Sequence, residues 1–145
     1  MGTTLTAVLL VGGTAFIAQV GDSRAYFLEN NKLVQVSEDQ TYVSHLIRTG
    51  QITEEEARVH PKRHVLLNAL GIYPSINVDT KIRKYDGNRI LVCSDGLYNN
   101  VSNFDLENIL RNNDSPTLKV KQLIGVANAN GGSDNIAVVV WEAND

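Results

Sequence analysis

The sequence predicts an α+β domain, on three observations. Up to Val36 the chain reads as short strands rich in β-branched and aliphatic residues, separated by Gly-Gly and Asn-Asn turns. From Thr41 to about Asn130 short helical segments with recognisable caps predominate. Two late apolar runs, Ile90-Leu91-Val92-Cys93 and Asn135 to Trp141, return the chain to a sheet.

The elements follow in order. Thr4–Val11 and Thr14–Val20 form a hairpin across Gly12-Gly13. Gly21-Asp22-Ser23-Arg24 interrupts the pattern, Ala25–Leu28 resumes it, and Glu29-Asn30-Asn31-Lys32 turns it into Leu33–Val36. The sum is an antiparallel meander. Tyr42–Thr49 is a short helix stopped by Gly50. Thr53 and Glu56 have the spacing of a capping box, and Pro61 closes that helix. Val65–Leu70 reads as a further helical turn ending at Gly71. Residues 41–75 are polar and short-helical, so they form an insertion over one edge of the sheet. Ile76–Ile82 alternates as a strand with one wet face, and Asp86-Gly87 is a hairpin turn into Arg89–Ser94. Asn103 caps a helix reaching Leu110, with Phe104, Leu106, Ile109 and Leu110 as its apolar face. Ser115-Pro116 starts another, whose apolar positions are Leu118, Val120, Leu123, Ile124, Val126 and Ala127.

The bulk numbers bound the partners. With 145 residues, 43% hydrophobic and 20% charged, residues 1–145 suit one domain with a real core. A net charge of -3 argues against nucleic acid as a partner. The longest apolar run, Ala7–Val11, is far short of a membrane span, and no basic region precedes it as in a signal peptide. The single cysteine, Cys93, cannot form an intramolecular disulfide and lies in the most apolar strand, so a buried thiol in a cytoplasmic protein is expected.

Chemistry concentrates where strands break. Asp22 follows Val20-Gly21, Asp95 follows Val92-Cys93-Ser94 and precedes Gly96, and Asp134 follows Gly131-Gly132-Ser133. Any one of them alone reads as a turn or cap residue sooner than as a ligand, and it is the three in the same context that shift the balance. If the strand ends converge, the carboxylates make an oxygen-only cluster, which selects Mg2+ or Mn2+ over zinc. Two such ions about 3.5–4 Å apart activate a water for attack on phosphorus. His45, His60 and His64 lie in the insertion without a cysteine at metal spacing, and read as surface or packing residues.

Seven motifs in register carry a resemblance: Met1-Gly2-Thr3-Thr4, Val20-Gly21-Asp22-Ser23-Arg24, Ser37-Glu38-Asp39-Gln40, His60-Pro61, Ala69-Leu70-Gly71, Ser94-Asp95-Gly96-Leu97 and Gly132-Ser133-Asp134-Asn135. Together they resemble the metal-dependent (PPM, or protein phosphatase 2C) Ser/Thr protein phosphatases of bacterial type. The resemblance implies a partial α-β-β-α sandwich of antiparallel sheets flanked by helices. It implies that Asp95 and Asp134 hold a binuclear Mn2+ or Mg2+ centre from opposite sides, and that Asp22 joins Asp95 at a third, weaker ion. Asn135, Ser94 and Gly96 then support these ligands, and residues 41–75 become a flap beside the active site. The implied reaction is hydrolysis of phosphoserine and phosphothreonine in proteins, opposing a Ser/Thr kinase. Two segments of the family pattern have no counterpart: one with an acidic ligand, and an Asp-Gly-x-Gly-Gly-His-like loop with a bridging Asp and a candidate general-acid His. The chain is therefore expected to be one incomplete phosphatase-like domain, weakly active or inactive alone, with exposed sheet edges that favour self-association. The competing expectation is a non-catalytic phosphatase-like module that acts by docking.

Overall fold

The structure, a computed structural model, describes residues 1–143. Two antiparallel sheets stack face to face. The first has the order β1-β2-β5, from β1 (Leu5–Val11), β2 (Thr14–Val20) and β5 (Asp79–Lys84). The second has the order β4-β3-β6-β7, from β3 (Arg24–Glu29), β4 (Lys32–Gln35), β6 (Ile90–Cys93) and β7 (Val138–Trp141). Helices α3 (Asp95–Tyr98), α4 (Asn103–Arg111) and α5 (Pro116–Ala129) are associated with the second sheet, while α1 (Tyr42–Arg48) and α2 (Glu54–Arg58) lie in the insertion.

Burial explains the layers. Ala15, Ile17, Ala25, Phe27, Val36 and Ile90 fill the space between the sheets. On the other face of the second sheet, Tyr26, Leu91 and Cys93 meet Leu97, Val101, Leu106, Leu110, Leu123 and Ala127 from the helical side. Strand β6 is therefore buried on both faces, as its unbroken apolar run requires. The outer face of the first sheet is bare: Leu9, Phe16 and Ile82 lie side by side in register and are all exposed, with Leu5 and Val11 beside them. The partial sandwich is thus present as two sheets with helices on one side.

Several expected elements shift, each for a local reason. The meander does not stay in one sheet. At Gly21 (φ 95) the chain leaves β2 and crosses to the second sheet, passing so near β1 that a Cβ there would lie 2.5 Å from Thr4 Cγ2. Asp86-Gly87 is likewise a crossing and not a hairpin, because β5 pairs with β2 whereas β6 pairs with β3. Strand β5 starts at Asp79, opposite Gln19 near the end of β2. The preceding residues leave the ladder, and the Asn77 carbonyl accepts from the Gln40 and Asn68 side-chain amides. Val65–Leu70 is extended, since its backbone bonds to Tyr42, Gln40 and Thr3 instead of closing a helical ladder. The hairpin at Asn30-Asn31 has both residues at positive φ (51° and 61°), the geometry of a type I′ turn.

Caps also refine the helices. The capping box of Thr53 and Glu56 and the Ser115 cap are as expected. Helix α4 is capped by Ser102, whose Oγ accepts from Asp105 N at 3.1 Å, so Asn103 is the first helical residue. Phe104 is exposed, while Leu106 and Leu110 carry the buried face. In α5 the buried stripe is Lys119, Leu123 and Ala127, and Leu118 points outward. Lys119 turns inward because its Nζ donates to the Leu110 carbonyl at the end of α4 and pairs with Glu142.

Candidate metal centre

The seams between layers bring the first two predicted carboxylates together. Asp22 sits on the crossing turn between β2 and β3. Asp95 opens α3 directly after β6, with Ser94 in the extended N-cap conformation (φ -77, ψ 167). Both line a cleft of about 870 Å³ between the sheet ends and the insertion. The Tyr98 hydroxyl donates to the Asp22 backbone carbonyl at 2.8 Å, tying the end of α3 to the turn. Burial, and then the nearby charges of Asp95 and Asp39, push the Asp22 carboxyl up from 3.8 to about 6. Two carboxylates that repel each other in a polar cleft make a place where a cation is welcome.

Asp134 is brought near but faces differently. A Cβ on Gly96 would meet the Asn135 carbonyl oxygen at 2.1 Å and Asp134 Cβ at 3.5 Å, so only glycine lets this loop lie against α3. Ser94 fastens the same loop: its amide donates to the Ala137 carbonyl and its Oγ accepts from the Ala137 amide, both at 3.0 Å. Asp134 Oδ1 accepts from the Asn135 backbone amide at 2.7 Å, so Asn135 meets it through the main chain. Ser133, not Asp134, lines the cleft. Among the described residues no three His, Cys, Asp or Glu side chains are grouped to hold an ion by themselves.

Sequence reasoning placed Arg24 and Asp39 in two separate motifs without pairing them or giving them a role, and missed the role of Tyr98. Arg24 grips Asp39 with Nε at 3.0 and 3.1 Å and with Nη2 at 2.6 Å. Its guanidinium lies 3.6 Å above the centre of the Tyr98 ring. The available signal was an arginine two residues after Asp22 at a strand start, with an acidic pair, Glu38-Asp39, later in the chain. Of the histidines, His60 packs edge-on against Tyr42, while His64 is exposed at the cleft beside Arg58 and Arg63.

The sequence pattern of the protein phosphatase 2C family matches residues 1–137. The chain belongs to that family. It is 43% identical over 145 residues to the serine/threonine phosphatase stp of Listeria welshimeri, covering 99% of this chain and 58% of the relative. The Mycobacterium tuberculosis serine/threonine phosphatase PstP/Ppp superposes with a TM-score of 0.92 at 37% identity, over 100% of this chain and 61% of that one. A structure of the PstP catalytic domain in complex with two manganese ions has a TM-score of 0.87 at 36% identity, over 100% and 60%. The chain thus spans about three fifths of the length of these phosphatase 2C relatives. The oxygen-only donors at Asp22 and Asp95 fit a hard divalent ion of the kind the PstP complex holds.

Proposed function

We propose that this chain contributes the Asp22–Asp95 side of a metal-dependent site that hydrolyses phosphoserine and phosphothreonine in proteins. The observation that carries the reading is that Asp22 and Asp95 line one polar cleft, where burial first and the neighbouring charge of Asp95 second push the Asp22 carboxyl up. Two Mn2+ or Mg2+ ions, and up to a third, would supply there a water acidified for attack on phosphorus and charge neutralisation at the phosphoryl oxygens. Asp95 would hold the centre from α3, Asp22 from the crossing turn and Asp134 from the loop beyond Gly96. Asn135 and Ser94 would hold that loop, and the bare backbone at Gly96 lets it approach. Arg58 and Arg63 on the insertion, residues 41–75 acting as a flap, would offer an anionic phosphopeptide two guanidinium groups along the cleft that Asp22 and Asp95 line, with the His64 ring beside them.

Activity of the 145 residues alone is expected to be low or absent, because two facing carboxylates hold two close cations poorly. Phosphate release from a phosphothreonine peptide and from p-nitrophenyl phosphate, with Mn2+ present, tests this. Turnover matching a full-length relative overturns the expectation of weak activity. A non-catalytic docking role is the second reading, supported by the bond that turns Asp134 onto the Asn135 amide. Phosphopeptide binding that neither needs Mn2+ nor leads to turnover would favour it. The parent activity fits a signalling role opposite a Ser/Thr kinase in the cytoplasm. The bare face of the first sheet and its β1 edge support self-association, which light scattering across a concentration series checks.

A further inference from the structure

We propose that Arg24, Asp39 and Tyr98 form a positioning clamp that fixes Asp22 relative to Asp95 and couples both to the flap helix α1. The proposal rests on the reading of Asp22 and Asp95 as metal-facing carboxylates.

The clamp is a closed chain of contacts. Tyr98 lies one helical turn after Asp95 on α3, and its hydroxyl holds the Asp22 carbonyl at 2.8 Å. Arg24, two residues beyond Asp22, covers the Tyr98 ring at 3.6 Å. Its Nη1 also donates to the Tyr26 hydroxyl at 3.1 Å. Asp39 fixes the guanidinium from the other side with the three N–H···O contacts given above and accepts a further bond from Gln35 Nε2 at 3.1 Å. A planar fork held by a carboxylate and stacked on a ring has little freedom to turn. The Tyr98 hydroxyl is thereby held in place above the turn that carries Asp22.

The same Asp39 sits at the root of the flap. Its backbone carbonyl accepts from Arg48 Nη1 at 3.4 Å, and Arg48 pairs with Glu38 at 3.0 Å. Gln40, the next residue, accepts from the Gly21 amide at 2.7 Å through Oε1. Displacement of α1 therefore pulls on Asp39 and Gln40, which touch the crossing turn through Arg24 and Gly21. None of the three clamp residues touches phosphorus in this scheme. They act by holding Asp22.

The experiment uses the 145-residue chain and three variants, Tyr98→Phe, Arg24→Lys and Asp39→Asn. Tyr98→Phe keeps the ring beneath the guanidinium and removes only the bond to Asp22, so the fold is retained. Free Mn2+ is followed by electron paramagnetic resonance, and backbone protection by hydrogen exchange with mass spectrometry. The expected result is an affinity loss of about tenfold in Tyr98→Phe, with faster exchange at residues 20–24. In Arg24→Lys and Asp39→Asn the faster exchange extends to residues 42–48, while the strands at 14–19 and 90–93 keep their protection. Unchanged affinity in all three variants overturns the clamp. If the unmodified chain takes up no Mn2+, the metal reading fails and exchange alone decides: equal protection at 20–24 and 42–48 across the variants overturns the clamp.

Discussion

Replacing Asp22 with Asn tests the electrostatics of the cleft without needing turnover. The Asp22 carboxyl titrates near 6 in the folded chain against 3.8 ordinarily, so the folded state binds its proton more tightly than the unfolded state. Its contribution to stability is fully present below about pH 4 and is lost as the pH rises through about 6. The gap corresponds to about 3 kcal/mol before screening. Because Asp22 is only half-buried in an open cleft, water reduces this to about 1–2 kcal/mol. Urea unfolding with chelator present, followed by circular dichroism at pH 4 and pH 7.5, reads the effect. Asp22→Asn should exceed the unmodified chain in stability at pH 7.5 by about 1–2 kcal/mol more than it does at pH 4. Taking the difference between variant and parent at each pH cancels the pH dependence that the two chains share. A difference that does not change with pH would refute the reasoning, because it would mean that Asp22 ionises without opposition.

Other substitutions separate neighbouring roles. Ser102→Ala should cost about 1 kcal/mol in urea unfolding through loss of the α4 cap, while Asn103→Ala costs under about 0.5 kcal/mol; a larger cost at Asn103 would restore that residue as the cap. Gly96→Ala should lower stability by about 1–3 kcal/mol, since the Asn135 carbonyl must move away from the new methyl; an unchanged melting temperature contradicts that close approach. Lys119→Met should cost about 3 kcal/mol by leaving the Glu142 carboxylate, among the described residues, with Arg89 at 3.6 Å as its remaining cation; thermal melting by calorimetry decides, and a stabilised variant would show that the ion pair is dispensable.

How much was legible follows from the range of the interactions. Strand identities, the Thr53–Glu56 capping box and the Ser115 cap depend on residues within a few positions, and they stand in the structure. Partner choice between strands does not. Nothing within Asp86-Gly87 tells a hairpin from a crossing, because both need the same turn; the outcome depends on Asp79–Lys84 finding β2 and Ile90–Cys93 finding β3. Lys119 defeats a hydrophobic pattern for the same reason, since the carbonyl and carboxylate that justify its burial lie 9 and 23 residues away. Arg24 and Asp39 each stand in a motif of the sequence, but they are 15 residues apart and nothing in either segment shows that they pair.

The predicted carboxylates were legible because they mark places where the chain changes layer. Asp22 lies on the crossing from the first sheet to the second, Asp95 on the step from sheet to helix, and Asp134 on the return from helix α5 to β7. At such seams the backbone leaves its ladder, side chains face a cleft instead of a core, and glycine is needed for close passage at Gly21 and Gly96. A charge set there avoids the cost of burial inside a layer while remaining fixed by the strand behind it. Convergence is a separate matter. Asp22 and Asp95 come together because β3 and β6 are neighbours in register, with Arg24 opposite Cys93. Asp134 arrives through a loop held by Gly96, Ser94 and Asn100, and its carboxylate bonds to its own chain. If Asp134 joins Asp95 at a cation, as proposed above, its second carboxylate oxygen can do so while Oδ1 keeps the Asn135 amide, and metal uptake and the order of residues 133–137 should rise together.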